Sequence, residues 1–222
     1  MSNTDSFINE VTEEVRRDRL FALMRRYGWI AVLAVIVIVG GAAWNEWSKA
    51  KARRTAEGFG DAMLAALNVD DRTARSQALA AIEAPGAPAR AVLDLLTASE
   101  EVEANPSDAA RRLLALADRS DVALVYRQIA VLKAVAIPGA GLSVEQRRAR
   151  LDGLAGAGGL VRLLAEEQLA LIALETGDRD AAIAGLQQVV VDAEATASLR
   201  SRASQAIVAL GGALSGGADG TQ

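Results

Sequence analysis

The chain has 222 residues, a net charge of −4, 4% aromatic residues, and neither His nor Cys. These numbers remove thiol nucleophiles, thiolate or imidazole metal sites, disulfides and the commonest general acid/base, and the acidic balance argues against a phosphate-tracking nucleic-acid binder. Few rings together with abundant Ala, Leu, Arg and Glu predict an all-α chain, its core built from small side chains that let helices approach closely.

Residues 1–26 carry five Arg and five acidic residues. Phe7, Val11, Val15, Leu20, Leu23 and Met24 recur at helical spacing, so this stretch reads as an amphipathic helix on the cytoplasmic side. It leads into Tyr27 to Trp47, which no charge interrupts before Glu46. Twenty helical steps cover about 30 Å, the thickness of a bilayer's hydrocarbon core. Its Val, Ile and Leu residues supply roughly −2.5 to −5 kcal/mol of insertion propensity with no central Lys or Arg to oppose it. In water a Val/Ile run this dense would read as a buried strand, but lipid forces each backbone polar group to be satisfied within the segment, hence a helix. Tyr27 and Trp29 at one end, with Trp44 and Trp47 at the other, are placed as two aromatic belts.

A cleaved signal peptide fits poorly, because the region before the apolar run is too long and Trp44 follows the small Gly41-Ala42-Ala43 patch. Arg25-Arg26 resembles a twin-arginine signal, but Arg pairs at the cytoplasmic edge of any anchor are expected from charge bias. Lys49, Lys51, Arg53 and Arg54 nearly balance the five N-terminal Arg. The Arg cluster abutting the apolar run, and the ease with which long C-terminal domains translocate, favour a cytoplasmic N-terminus with the large domain outside.

Beyond the anchor the pattern is helix, break, helix. Trp44 to Leu67 continues the anchor helix, ending at Asn68-Val69-Asp70. Pro85-Gly86-Ala87-Pro88 is a stop and restart with Pro88 in a first turn. Ser107 and Ser120 are predicted N-caps, and Ser143-Val144-Glu145-Gln146 has the capping-box pattern. Gly177 sits where a left-handed C-cap is wanted. Breaks beginning at Val69, Asn105, Gly141 and Gly177 recur every 36 residues, the mark of a helical solenoid. In the last unit Leu169, Ala170 and Ala173, then Ala182, Leu186 and Val189, have the spacings of a tetratricopeptide repeat. The middle unit departs from the pattern with Gln146 and Arg150. Ala197 to Leu210 would cap the stack, with Arg200, Arg202 and Gln205 outward. Residues 48–210 thus form one tetratricopeptide-like domain, and 211–222 are expected to be a disordered tail that buries nothing.

Carboxylate clusters such as Glu100-Glu101-Glu103 and Glu166-Glu167 could do acid/base chemistry only if their environments split their pKa values. In such charged surroundings they read as solvated helix faces. Gly153 to Gly159 lacks the preceding strand and the following Lys-Ser/Thr of a phosphate loop, and reads as an inter-helix connection. No catalytic residue, metal or cofactor is therefore predicted. A carboxylate-based membrane enzyme is the distant alternative, and would need a deep pocket joining Tyr126 to several acids. Registering the four breaks with a tetratricopeptide unit places Phe59, Met63, Leu95, Val102, Val131 and Leu171 on the inner side of the first-helix row. There they either fill the space between helices or form an apolar groove for a partner.

Three features resemble one family: Arg25-Arg26-Tyr27-Gly28 at the start of the anchor, Gly41-Ala42-Ala43-Trp44-Asn45-Glu46-Trp47 at its exit, and the 36-residue helical units. They are similar to the ancillary subunits of the bacterial Sec translocon that carry a tetratricopeptide-like periplasmic domain. The resemblance implies a single-pass protein of the cell inner membrane, associated with the translocon and handing exported chains to periplasmic chaperones. The alternative scaffold is a cytoplasmic-facing docking platform for another inner-membrane complex.

Overall fold

The computed structural model describes the backbone of residues 3–213, and side chains over residues 24–213 apart from Ala31. Nine α-helices and no strands occur among the described residues: α1 (Asn3–Leu67), α2 (Arg72–Ala80), α3 (Ala87–Glu101), α4 (Pro106–Ala117), α5 (Leu124–Ala136), α6 (Val144–Ala155), α7 (Gly159–Glu175), α8 (Arg179–Val191) and α9 (Ala197–Ala209). The chain divides between Glu57 and Gly58 into two compact units.

The first unit is the helical run up to Glu57. Among the described residues it contains the one stretch long and apolar enough to cross a membrane, and none of that apolar window is buried. Ile36, Val37, Ile38 and Val39 are all exposed. A soluble core helix would bury such side chains against protein, so their exposure is consistent with a membrane-crossing helix. The amphipathic face expected over residues 1–26 falls largely on side chains outside the described residues.

The second unit begins with the last turns of α1, and α1 ends at Leu67, where the sequence places its end. Each helix from α2 onward packs on the next, and α3, α5 and α7 also touch in succession. That connectivity builds a serial stack of helices from α2 to α9, in which α5 meets α4 far more extensively than α6. Helices α2, α4, α6 and α8 begin at Arg72, Pro106, Val144 and Arg179, each just behind one of the four periodic breaks. The core is correspondingly serial. One cluster joins the end of α1 to α2 and α3, a second runs from α3 to α7, and a third joins α7, α8 and α9. Half of the buried apolar residues are alanines and none is aromatic, so helix axes come close. On α8, a Cβ added to Gly185 would lie 3.0 Å from the Ala170 Cβ of α7.

Local chemistry accounts for the boundaries. Ser143 and Gln146 make the reciprocal capping box of α6, and Asp71, Asp178 and Thr196 cap α2, α8 and α9 through their side chains. Pro88 lies in the first turn of α3. Gly177, at φ +86°, closes α7: its N–H donates to the Leu174 carbonyl (3.0 Å) while that of Asp178 donates to Ala173 (2.9 Å). This is the two-bond left-handed cap that a side chain would strain. Two expected caps are displaced. Pro106, pre-set for the first helical position, moves the start of α4 forward so that Asn105 flanks it and Ser107 lies inside the helix. Ser120 lies in a turn, and α5 starts at Leu124 after Ala123.

A device absent from the sequence reading ties the stack together. Carbonyls left over at a helix C-terminus are taken up by an arginine from the adjoining helix. Arg127 of α5 donates to Ala117 (2.9 Å), Arg147 of α6 to Val135 (3.0 Å) and Arg200 of α9 to Val190 (3.0 Å). The irregular middle unit uses ions as well: Arg150, standing where an apolar residue is expected, pairs with Asp118 at 2.5 Å.

The chain after Leu210 does pack over its first residues, contrary to the expected structureless tail. Gly212 N–H donates to Ile207 O (2.9 Å), Gln187 donates to Ala213 O (3.1 Å), and an added Cβ on Gly212 would fall 2.9 Å from Ile207 and 3.0 Å from Ile183. Two glycines in succession allow this fold-back. The remainder of the expected tail, residues 214–222, lies outside the described residues.

Candidate functional site

The stack has two chemically different sides. One is made by α3, α5 and α7, the other by α4, α6 and α8. Each of the central helices packs on one face, and the face left open shows what the chain offers to solvent. On α5, Ala130, Val131, Ala134 and Val135 are buried. Val125 and Ile129 are exposed, and with exposed Ala136 they recur at helical spacing on the other side. On α7, Leu163, Ala170 and Ile172 are buried while Leu160 and Leu171 are exposed, with half-buried Leu164 in line between them. Val92 is the equivalent exposed residue of α3.

Among the described residues after Glu57, ten large apolar side chains are exposed, and seven of them lie on α3, α5 and α7 (Leu124 and Leu174 complete the set). Helices α4 and α6 contribute none, and α8 contributes Val191 alone. Scattered single apolar residues are ordinary on a surface, whereas concentration on one side of a stack is not.

The six residues assigned to the inner side divide differently. Phe59 and Met63 are half-buried against the first core cluster, Leu95 and Val102 are half-buried against the second, and Val131 lies in the core at 8% exposure. Leu171, 38% exposed, is the one of the six on open surface. Five of the six thus pack at least partly against the core. The open apolar residues of α3 and α5 are others, Val92 on α3, and Val125 and Ile129 on α5, Ile129 lying on the other side of the helix from Val131. In unit one, Tyr27, Trp29, Trp44 and Trp47 are all exposed, and the Trp44 and Trp47 rings lean together at 5.5 Å between centroids.

Glu100, Glu101 and Glu167 are not part of solvated faces, and the structure corrects that reading for them, while the Glu103 side chain, 74% exposed, fits it. Glu167 is 5% exposed and takes two hydrogen bonds from Arg202 of α9, one of them at 2.6 Å. Arg202, expected to point outward, spans α9 to α7. Glu100 accepts from Arg75 at 2.7 Å and pairs with Arg72, while Glu101 accepts a fork from Arg112 at 3.0 and 2.7 Å. Arg162 gathers Glu166, Asp192 and Glu194 at 3.0, 2.8 and 3.0 Å, which holds its guanidinium well above the usual pKa and Asp192 below the usual carboxylate range. The pairs of Glu167, Glu100 and Glu101 join different helices, Arg162 ties α7 to the connection after α8, and a carboxylate held by a guanidinium fork has its lone pairs occupied.

A charged groove of about 670 Å³ lies between α3 and α4, lined by Arg90, Asp94, Glu101, Arg111, Arg112 and Arg119 among others. Burial pushes the Asp94 carboxyl up, against the pull of Arg90 and Arg112. Tyr126 is not among the residues lining it and packs against the second core cluster. Compared with known proteins, the chain matches no family model, no curated protein and no solved structure.

Proposed function

We propose that this protein is a membrane-tethered helical-repeat scaffold, not an enzyme, and that the open side of α3, α5 and α7 holds an apolar segment of a partner chain. The observation that carries this reading is the one-sided distribution of exposed apolar residues: Val92, Val125, Ile129, Leu160 and Leu171 on one row of helices, against none on α4 or α6. Apolar contact is non-directional, so such a face accepts many sequences and suits partners that are unfolded or still inserting. Repeat stacks present extended faces of this kind because each unit contacts only its neighbours.

The anchor flanks point to the partner class. Their resemblance to ancillary subunits of the Sec translocon supports a single span of the cell inner membrane, with N-terminus in the cytoplasm and helical domain in the periplasm. There the domain would meet exported chains and pass them to chaperones.

The test uses the full chain in lipid nanodiscs and a permanently unfolded, fluorescently labelled secretory polypeptide as probe. Val125→Glu with Ile129→Glu should weaken binding at least tenfold and shift the melting temperature by less than about 3 °C, since exposed positions carry little stability. Unchanged binding in that variant removes the proposed face.

A further inference from the structure

The first unit carries its cations differently from the second. All ion pairs among the described residues involve arginines at or beyond Arg72. Two bands on α1 stand outside that network: Arg25 and Arg26 before the apolar stretch, and Lys49, Lys51, Arg53 and Arg54 after it, all six exposed. Glu46 and Glu57 stand at the two ends of the second band without reaching it.

From Arg26 to Lys49 is 23 helical steps, about 35 Å, so the two bands sit just beyond a hydrocarbon core of about 30 Å on either side, at the level of lipid phosphates. Aromatic rings mark the same levels. The Arg26 guanidinium lies 5.7 Å from the Tyr27 ring centroid, and Lys51 Nζ lies 5.7 Å from that of Trp47. At 3.6 residues per turn, Lys49, Arg53, Arg54 and Lys51 point in directions about 0°, 40°, 140° and 200° around the helix. A protein partner would need its cations on one face. A girdle pointing to many sides fits an annulus of small anionic ligands.

With the N-terminus cytoplasmic, as proposed above, the band from Lys49 to Arg54 lies on the far side of the membrane, where charge bias in insertion disfavours it. That band then serves something other than topology. We propose that Lys49, Lys51, Arg53 and Arg54 form a binding girdle for the phosphate headgroups of anionic glycerophospholipids, with Trp44 and Trp47 as its apolar footing. The girdle rests on α1 being membrane-inserted in the proposed orientation, and is independent of what the helical stack binds.

The experiment reconstitutes the full chain carrying Trp29→Phe, so that Trp44 and Trp47 alone report, into phosphatidylcholine vesicles. Equal small fractions of brominated phosphatidylglycerol or brominated phosphatidylcholine are added as quenchers. A headgroup held by one basic side chain gains roughly a fivefold preference, and one held by two gains more. The anionic quencher should therefore be at least fivefold enriched around these tryptophans. Enrichment should vanish in Lys49→Gln/Lys51→Gln/Arg53→Gln/Arg54→Gln. It should also fade in the original chain at about 1 M salt, where screening acts over about 3 Å. Equal quenching by the two lipids, or a preference that survives the fourfold change, overturns the girdle. Absence of quenching by either lipid would instead mean that α1 is not inserted, which overturns the membrane reading and the girdle with it.

Discussion

The contact between Glu167 and Arg202 makes an asymmetric prediction. Glu167 is buried on α7, whereas the Arg202 side chain on α9 is 57% exposed. Arg202→Met strands a carboxylate in a nearly dry site. Breaking one partner of a buried pair costs about 3–5 kcal/mol, and partial access of water on the α9 side lowers the expectation to about 2–3 kcal/mol. Glu167→Met leaves Arg202 free to swing into water and puts a side chain of similar length into an apolar surround, so its cost should stay within about 1 kcal/mol of zero. Thermal unfolding of the full chain in detergent, followed by circular dichroism, reads both. At about 2–4 °C per kcal/mol for a domain of this size, Arg202→Met should lose about 5–10 °C and Glu167→Met under 4 °C. The double variant should return towards Glu167→Met. Equal losses in the two single variants would refute the assignment of Glu167 as the desolvated partner.

Ala182, 1% exposed in the tight α7–α8 pair, should not accept Leu: overpacking should cost about 1–3 kcal/mol by urea titration, and a loss of a few tenths would show that the pair is loose. Burial raises the Asp94 pKa, so the unfolded chain releases this proton first as pH rises, and the group costs stability above its unfolded pKa. Asp94→Asn should thus gain on the wild type between about pH 3.5 and pH 7 in urea midpoints, and a relative loss on going up would reverse the sign. Phe59→Ser with Leu95→Ser removes two side chains packed on core clusters and should lower the melting temperature by several degrees, unlike changes on the open face. For topology, protease added to spheroplasts should digest residues 50–222 and spare the N-terminal tail. Survival of the helical domain until lysis would place it in the cytoplasm.

Helix boundaries were legible because they are written in local chemistry: Pro88 in a first turn, the Ser143–Gln146 box, Gly177 beyond a helix end. The 36-residue spacing of the breaks gave the stack for the same reason. Rotation of each helix about its axis was not legible. Helix α5 reads Leu-Val-Tyr-Arg-Gln-Ile-Ala-Val-Leu-Lys-Ala-Val-Ala, apolar on nearly every side, so periodicity cannot separate Val131, facing the core, from Ile129, facing out. That choice is made by α3, α4, α6 and α7 closing around α5. Carboxylate partners were hidden likewise, since Arg202 lies 35 residues beyond Glu167. That separation is about one repeat, and a search for opposite charges one period apart would have found the pair. Ser107 and Ser120 failed as caps because Pro106 and the turn before Leu124 settle those helix starts.

The central claim is that a partner's apolar segment lies on the α3, α5 and α7 side. Site-specific photocrosslinking tests it in the membrane: a benzoylphenylalanine at Ile129 or Leu171, against one at Arg148 or Asp152 on α6, while an export substrate is stalled during translocation. The account predicts adducts to the stalled chain from Ile129 and Leu171 and at most background from the α6 positions. Adducts of equal yield from α6, or none from Ile129 and Leu171, would contradict it.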